Sequence, residues 1–257
     1  MTQIGEFAFS CCKYFKHIEF VNDSKLQIIG KECFSHSPIQ YIKIPSRVTH
    51  IGAAAFYECF HLQIEIPNDS ELQRIDKLAF SYSKIQNLII PSQLVKLKKG
   101  WCKNTYITKI FVSPENPIFF DYKNQFIMNK SSNKNKKNNC LVFCVRNIKT
   151  VTIPNFIEHI CSYAFCRCNC IKKLHFQQDS KLKSIGEFAF AYTSFKSISI
   201  PFCVTQIAKN AFLNCDQIEI IEINDNLKME FIDKYKFKNF NNLIIMAPPE
   251  PNKNVKA

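Results

Sequence analysis

Glycine, tryptophan and arginine are all scarce in this sequence. Its 257 residues include only 5 Gly and a single Trp, although 24 are Phe. So few glycines exclude a collagen-like chain and a glycine-rich phosphate-binding loop. No apolar run approaches the roughly 18 residues that a membrane-spanning helix needs. Hydrophobic residues still make up 46% of the chain and charged residues 21%, which is typical of a folded globular protein.

The positive charge of the chain comes almost entirely from lysine. The formal net charge is +13, but only Arg47, Arg74, Arg146 and Arg167 among the 34 basic residues are arginines. Bidentate recognition of phosphates and bases depends on arginine, and the lysines are scattered. We therefore expect a solvated, lysine-rich surface with a weak general attraction for acidic partners, and no specific nucleic-acid site.

The start of the sequence, Met-Thr-Gln-Ile-Gly-Glu-Phe, lacks the basic segment and apolar core of a secretory signal. Taken alone, this start and the lack of an apolar span predict a soluble, cytosolic chain. Thirteen cysteines are present, an odd number. A disulfide scaffold would be shorter and would carry its cysteines in loops, whereas most of these lie inside apolar patterns.

An internal repeat is the main signal in the sequence. The segment Ile4–Phe9 returns almost unchanged as Ile185–Phe190, and nine related copies can be found. The residue after the leading Ile or Leu falls at positions 5, 30, 52, 76, 98, 161, 186, 208 and 233. The steps are 25, 22, 24, 22, 63, 25, 22 and 25 residues, so long and short steps alternate apart from the 63. The alternation indicates that the true unit is a pair of repeats.

The two kinds of copy also differ at the third residue after the Phe. One kind has cysteine there and the other has Ser or Thr. The cysteines are Cys12, Cys59, Cys168 and Cys215; the hydroxyl residues are Ser37, Ser83, Thr105 and Thr193.

Each copy continues into a short strand that ends in proline, as in Ile39–Pro45 and Phe195–Pro201. Apolar residues alternate with polar ones along it, and the proline ends the ladder because it has no N–H to donate. The Ala-Phe-x-x-Cys portion has apolar residues at i, i+1 and i+4, which suits a short helical turn facing the core. Other residues replace the leading glycine in several copies, so we expect a helix start there and not a positive φ.

A strand and a turn every 22–25 residues are typical of a leucine-rich-repeat solenoid. The predicted fold class is α/β: a parallel sheet on one face, short helical turns or loops on the other, about ten strands and one β-hairpin insertion. No single repeat can bury its apolar face, and stacking gives a continuous core.

The 63-residue step contains one further strand, Ile148–Pro154, and an insertion at about residues 113–147. Two apolar, β-prone runs, 118–128 and 140–144, flank a segment rich in Asn, Lys and Ser. We predict a hairpin with a mobile tip, either a tolerated loop or a contact element for a partner. The tip carries Lys130, Lys134, Lys136 and Lys137.

The predicted solenoid is one domain, residues 1–247, and residues 248–257 are predicted to be a disordered tail. The first repeat has no polar cap, so Ile4, Ala8 and Phe9 face an open end. Because solenoids normally need caps, the sequence favours either a piece of a longer protein or end-to-end self-association.

Few residues group as chemistry would require. Cys161, Cys166, Cys168 and Cys170 come closest to a metal cluster, but their spacing is not that of a zinc site. We expect ordinary packing of these thiols, with reactive thiols as an alternative and zinc as a weaker one. The six histidines fall in different repeats. No catalytic residue, cofactor or metal is therefore predicted.

The outward row of the sheet is the candidate functional face. Parallel stacking should place Glu19, Lys43 and Glu65 side by side as a charge ladder, and Tyr41 among exposed apolar groups. Aromatic groups on a repeat surface are candidate anchors, although scattered surface residues without a partner are the alternative. The candidate partner-binding residues are Tyr41, Lys43, Glu65, Ile89, Lys109, Phe111 and His175. The row as a whole is His17, Glu19, Tyr41, Lys43, Glu65, Asn87, Ile89, Lys109, Phe111, Thr150, Thr152, Lys173, His175, Ser197, Ser199, Ile220 and Glu222.

The pattern Leu/Ile-x-x-Ile-x-Ile-Pro followed by Ile-Gly-x-x-Ala-Phe-x-x-Cys resembles the BspA-like leucine-rich repeats of bacterial surface antigens and protozoan parasites. The segment Asn22–Ile29 is similar to the protozoan subtype. The resemblance covers about residues 1–247. It implies a non-enzymatic surface antigen that binds host matrix proteins or other cells, without cofactors or catalytic residues.

Three hypotheses for function follow. The first is a non-enzymatic module at the cell surface that binds a protein ligand through the sheet face, adhesin-like by resemblance. The second is a cytoplasmic interaction scaffold that uses the same face, favoured by the missing signal and anchor and by the thiols. The third is a fragment of a longer surface antigen.

Overall fold

The computed structural model describes residues 1–129 and 139–224 and the backbone of a strand at 242–246. The predicted tip lysines, the ninth repeat copy and the predicted tail lie outside these residues. The described residues form twenty β-strands and no helix. Most of the strands belong to two rows, and neighbouring strands that pair within a row are parallel.

The first row, the outer sheet face, consists of nine strands, seven of which are followed by the predicted proline. Its members are β3 (Tyr41–Lys43), β5 (Gln63–Glu65), β7 (Asn87–Ile90), β9 (Lys109–Val112), β13 (Thr150–Ile153), β15 (Lys173–Phe176), β17 (Ser197–Ser199), β19 (Ile220–Asn224) and β20 (Asn242–Met246). An isolated bridge between His17 and Tyr41 adds a tenth strand position. The predicted solenoid of about ten strands is confirmed.

The second row, the short-strand face, directly precedes the segments that were predicted to be helical turns and that form β-turns instead. Its members are β1 (Gln3–Ile4), β2 (Ile28–Ile29), β4 (His50–Ile51), β6 (Arg74–Ile75), β8 (Lys96–Leu97), β14 (His159–Ile160), β16 (Ser184–Ile185) and β18 (Gln206–Ile207). Each strand contains the Ile or Leu that opens a repeat copy. The expected helix start at this position is therefore wrong.

The hydrogen bonds after each short strand explain why no helix forms. Ser35 N–H donates within its own coil, to Glu32 O at 3.2 Å. The N–H groups of Phe34 and His36 donate instead to the next coil, to Ala55 O and Tyr57 O, both at 2.8 Å. A helix would keep these donors inside one coil. Glu32 and His36 reach this geometry with φ of 51° and 56°, so successive β-turns tie each coil to its neighbour.

The core is an aromatic ladder along the solenoid axis. Phe34 stacks on Phe56 with ring centroids 5.3 Å apart, and Phe56 stacks on Phe80 at 5.7 Å. Beyond the insertion the ladder resumes, with Phe165 and Phe190 5.0 Å apart. Because these rings are fully buried, each coil covers the apolar face of the coil before it.

The insertion supplies part of this ladder. It forms three strands, β10 (Phe119–Tyr122), β11 (Phe126–Asn129) and β12 (Cys140–Cys144); β11 pairs antiparallel with both others. Strand β12 also pairs parallel with β14, in the place of a short strand. Phe143 packs 5.8 Å from Trp101 on one side, and Phe126 packs 6.1 Å from Phe165 on the other. The insertion therefore fills the space of a coil.

The side chain of Asn116 attaches the insertion to the preceding coil. It is 1% exposed. Its Nδ2 donates to Pro91 O at 2.7 Å and to Leu94 O at 2.8 Å, and its Oδ1 accepts from the N–H of Ile118 and of Phe119 at 2.9 and 2.7 Å. These four bonds fix where the chain leaves the repeat register.

The outer sheet face is divided by the alternating step lengths. Laddered neighbours lie 22 or 23 residues apart, as in the pairs Tyr41 with Gln63 and Thr150 with Lys173. Where the step is 24, from β5 to β7 and from β15 to β17, the ladder is interrupted. An Asn-Asp-Ser or Gln-Asp-Ser segment adds residues to these longer coils, at 68–70 and 178–180.

An ion cluster stabilises the short-strand face. Arg74 donates from Nε and Nη2 to the two oxygens of Asp76 at 2.7 and 3.0 Å, and His50 Nε2 lies 2.9 Å from Asp76 Oδ2. Burial raises the pKa of the Asp76 carboxyl, but the hydrogen bonds from Arg74 and His50 outweigh this effect. The pKa therefore lies below its ordinary value of 3.8.

Gly52→Ala tests the close approach of the coils. A Cβ at this position would lie 2.7 Å from Lys31 N and 2.8 Å from Gly30 C. We expect the substitution to lower the free energy of unfolding by about 1–3 kcal/mol, measured by urea titration. Gly5→Ala is the matched control, because its Cβ would meet nothing within 4 Å. If both variants lost the same free energy of unfolding, the close approach of the coils at Gly52 would not be the cause of the loss.

Asp76→Asn tests the ion cluster. Because the folded-state pKa of Asp76 is lowered, its contribution is complete above the unfolded-state pKa and is lost as pH falls through the folded-state pKa. We expect the variant to be about 1 kcal/mol less stable at pH 7, and this difference to shrink below about pH 4. Urea titrations from pH 2.5 to 7 measure it, with the exposed Asp23→Asn as control. A difference independent of pH would argue against the ion cluster.

Candidate functional site

The outer sheet face presents its side chains in strict alternation. In β3, Tyr41 and Lys43 are exposed and Ile42 between them is buried; β9 repeats the pattern with Lys109 and Phe111. A strand turns successive side chains to opposite faces, and the buried set is fixed by the core. The exposed set is thereby held on a rigid surface.

Tyr41, Lys43 and Glu65 form one hydrogen-bonded group on β3 and β5. Tyr41 Oη donates to Glu65 Oε2 at 2.6 Å, and Lys43 Nζ lies 2.7 Å from Glu65 Oε1. Lys43 is in register with Glu65 in the ladder. The predicted contact between Lys43 and Glu65 is therefore present. Lys43 forms its ion pair with Glu65 and not with Glu19.

The hydrogen bonds within this group shift the pKa values of all three side chains. The hydrogen bonds that Glu65 accepts from Lys43 and then from Tyr41 lower the pKa of its carboxyl. The same bonds raise the pKa values of Tyr41 and Lys43. All three groups are solvent-accessible, so the group presents one neutral ion pair and a fixed phenol ring.

The predicted apolar residues of the next pair of strands are adjacent. Ile89 on β7 lies directly opposite Phe111 on β9, and Lys109 lies opposite Asn87. Phe111 is 51% exposed, whereas Ile89 is only partly exposed. Phe111 therefore projects from an apolar base that Ile89 provides, with the Lys109 ammonium two residues away along the strand.

His175 is separated from the other six predicted residues. It lies on β15, opposite Thr152 of β13, in a sheet that is distinct from those of β3–β5 and β7–β9. The insertion strands lie between the two parts of the face along the chain. The predicted residues thus form two neighbouring groups and one remote residue.

Three open grooves accompany the outer sheet face, and each lies at a 24-residue step: from His17 to Tyr41, from β5 to β7 and from β15 to β17. The grooves were not predicted from the sequence, although the alternating step lengths carried the signal. The first, of about 440 Å³, is lined by residues that include Glu19, Tyr41, Lys43, Pro67 and Asp69. The second, of about 300 Å³, includes Asn68, Ile89, Phe111 and Glu115. The third, of about 660 Å³, includes Lys173, His175, Ser197, Ser199 and Phe202.

The described residues provide no constellation for metal chemistry. Across residues 1–129 and 139–224, no three His, Cys, Asp or Glu side chains converge as a metal site. Cys166 and Cys168 are buried, Cys161 is half-buried and Cys170 is exposed. Because the described ranges contain no helix, none of them contains a helix that could cross a bilayer.

Comparison with solved structures finds the same architecture in other proteins. The pneumococcal vaccine antigen PcpA aligns with a TM-score of 0.77 at 19% identity, over 97% of this chain and 67% of that chain. A leucine-rich cell surface protein of Faecalibacterium prausnitzii aligns at 0.67 and 21% identity, over 96% and 70%. A leucine-rich-repeat protein of Bacteroides ovatus aligns at 0.61 and 19%, over 95% and 64%. These likenesses show the fold alone.

Comparison of the sequence identifies the repeat itself. No curated protein matches the chain. The pattern of the BspA type leucine rich repeat region matches residues 2–129 and 135–256, in six copies. These residues cover nearly the whole chain and include both strand rows described above. The chain therefore belongs to the BspA-type leucine-rich-repeat family.

Proposed function

We propose that this chain is a non-enzymatic, adhesin-like module that binds a protein ligand through the outer sheet face. One observation carries the proposal: Tyr41 and Phe111, 44% and 51% exposed, project from rigid strands beside open grooves. Large aromatic groups held in fixed positions bind partners at a low cost in conformational entropy. The rings stand next to polar groups, which is the usual anatomy of a recognition surface.

The charges around the two rings suit a protein ligand. Lys43 and Glu65 pair with each other, so they fix Tyr41 in place and leave little net charge there. Lys109 brings one positive charge close to Phe111. A ligand with an apolar segment beside an acidic residue would match this arrangement.

A location at the cell surface is part of the proposal. It is supported by the descriptions of two structural neighbours, one a vaccine antigen and the other a cell surface protein. The competing proposal is an intracellular scaffold that uses the same face. It is supported by the core cysteines, which occur as thiols; Cys59 Sγ, for example, donates to Phe34 O at 3.0 Å. Biotinylation of intact expressing cells separates the two proposals, because an intracellular chain would not be labelled.

The double variant Tyr41→Ala and Phe111→Ala tests the binding face. We expect it to lose at least tenfold in affinity for surfaces coated with extracellular matrix proteins, because each ring is an anchor worth about 1–2 kcal/mol. Biolayer interferometry with the purified chain measures the loss.

The matched control is the double variant Phe60→Ala and Tyr106→Ala. These rings are 52% and 56% exposed but lie outside the strands of the outer sheet face. The control should bind as the parent does. If both double variants bound equally well, the assignment of the binding site to the outer sheet face would be wrong.

A further inference from the structure

A buried arginine lies where the insertion meets the following coil. Arg146 lies two residues after the end of β12 and is 6% exposed. Its Nη1 donates to Ala164 O at 3.0 Å and lies 2.9 Å from Cys168 Sγ, and its guanidinium carbon lies 4.4 Å from the centroid of the Phe143 ring. Its Nε and Nη2 atoms are buried without a hydrogen-bond partner. The guanidinium is almost entirely removed from bulk water, so its charge must be balanced locally.

The balancing charge is not a carboxylate. Within residues 1–129 and 139–224, Arg146 takes part in no ion pair with Asp or Glu. Arginine does not release its proton in proteins, and an uncompensated buried charge is strongly destabilising. The ionisable groups that face this site are four thiols, and of these Cys168 touches the guanidinium. The four are Cys102, Cys144, Cys166 and Cys168.

Equivalent cysteines in other coils provide an internal comparison. Cys59 and Cys215 occupy the same repeat position and donate to carbonyl oxygens, Phe34 O and Phe190 O, each at 3.0 Å. Their neighbours from the preceding coil are the neutral hydroxyls of Ser37 and Thr193. Burial raises the pKa of Cys59 to about 12.

Cys168 differs because the insertion takes the place of its preceding coil. Arg146 therefore stands beside this thiol where the other coils offer a neutral hydroxyl. Burial raises the pKa of Cys168, but the hydrogen bond from Cys144 and the charge of Arg146 outweigh burial and bring it to about 7.

The partner thiol lies close to Cys168. The thiol of Cys144, at the end of β12, donates to Val145 O at 3.3 Å, and Cys168 Sγ lies 4.0 Å from the same oxygen. Both side chains are fully buried, and each thiol shifts the pKa of the other. Burial raises the pKa of Cys144 well above its ordinary value of 9.0. One sulfur is thus suited to be the nucleophile and the other remains a protonated thiol beside it.

We propose that Cys168 is a thiolate paired with Arg146, and that Cys168 and Cys144 form a dithiol site that small hydroperoxides oxidise to a disulfide. The Cys168 sulfur attacks one oxygen of hydrogen peroxide, the smallest such oxidant; the O–O bond breaks, and hydroxide leaves and takes a proton from solvent. The Cys144 sulfur then attacks the resulting sulfenic acid. The S–S bond forms, the S–O bond breaks, and the oxygen leaves as water with the Cys144 proton. Two electrons pass from the sulfurs to the peroxide.

The burial of the site defines its substrate class. Both sulfurs are 0% exposed, so oxidants the size of a disulfide reagent are excluded and an oxidant the size of water is favoured. The product would join β12 to the coil that carries Cys168 and would remove the counter-charge of Arg146. The site is therefore a redox-sensitive link between the insertion and the solenoid.

Peroxide oxidation of the reduced full chain tests the proposal. The protein is treated with hydrogen peroxide, quenched with catalase, denatured, alkylated and mapped by mass spectrometry. We expect a Cys144–Cys168 disulfide whose rate of formation levels off at about pH 7–8. In Arg146→Met the rate at pH 7 should fall at least tenfold, because a thiol pKa above 9 leaves about 1% thiolate. Recovery of both thiols unmodified, or equal rates in parent and variant, would overturn the proposal.

A second thiol pair, between the start of β12 and the residue that follows β14, serves as a control. Cys140 and Cys161 also share a hydrogen bond, but Arg146 is not among the groups that act on them. Their reaction with peroxide should not depend on Arg146→Met.

A second measurement holds even if Arg146→Met does not fold. The thiolate absorbance of the native chain at 240 nm and pH 8 should decrease by about one thiolate in Cys168→Ser and remain unchanged in Cys59→Ser. Equal absorbance in the two serine variants would show that Cys168 is protonated and would also overturn the proposal.

Discussion

The backbone hydrogen bonds between successive coils are the constraint on which the rest of this structure depends. In the turns after each short strand, alternate N–H groups donate to the neighbouring coil, as Phe34 does to Ala55 O and Phe56 to Ala79 O at 2.8 Å. These bonds fix the rise from coil to coil and thereby the stacking of the phenylalanine rings. The same rise aligns the exposed residues of the outer sheet face. The stacking of the core and the alignment of the recognition surface therefore both follow from the same register between coils.

The strands, their register and the pairing of Lys43 with Glu65 could be predicted because they follow from spacing. A 22-residue step and alternating apolar residues determine which side chains are neighbours. The linked β-turns after each short strand could not be predicted, since apolar residues at i, i+1 and i+4 suit a helical turn equally well. The positions with positive φ gave no signal either, because they hold residues such as Glu32, Ala54 and Leu78 instead of glycine.

The two sites that the sequence did not predict arise where distant segments meet. Asp76 receives hydrogen bonds from Arg74 and His50 only because their side of each coil is a sheet. Arg146 and Cys168 meet only because β12 occupies the space of a coil. In both cases the residues were visible, but their proximity depends on a pairing that local patterns do not specify. The grooves beside Phe111 and His175 follow the same logic, since they lie where a ladder is interrupted.

The alternation of coils also limits how such a chain can lengthen during evolution. Copying a single coil would set two cysteine coils or two hydroxyl coils side by side. The shared carbonyl, such as Phe34 O, would then lose one of its two different donors, Ser37 Oγ and Cys59 Sγ. Gene duplication that preserves this bonding copies two coils together, one step of 22 residues and one of 24 or 25. The chain departs from this rule once, just before the insertion, where the hydroxyl coils of Ser83 and Thr105 are neighbours and their hydroxyls donate to Phe80 O and Cys102 O. The double coil is thus the module that keeps both donors on one carbonyl, and an added single coil gives them up.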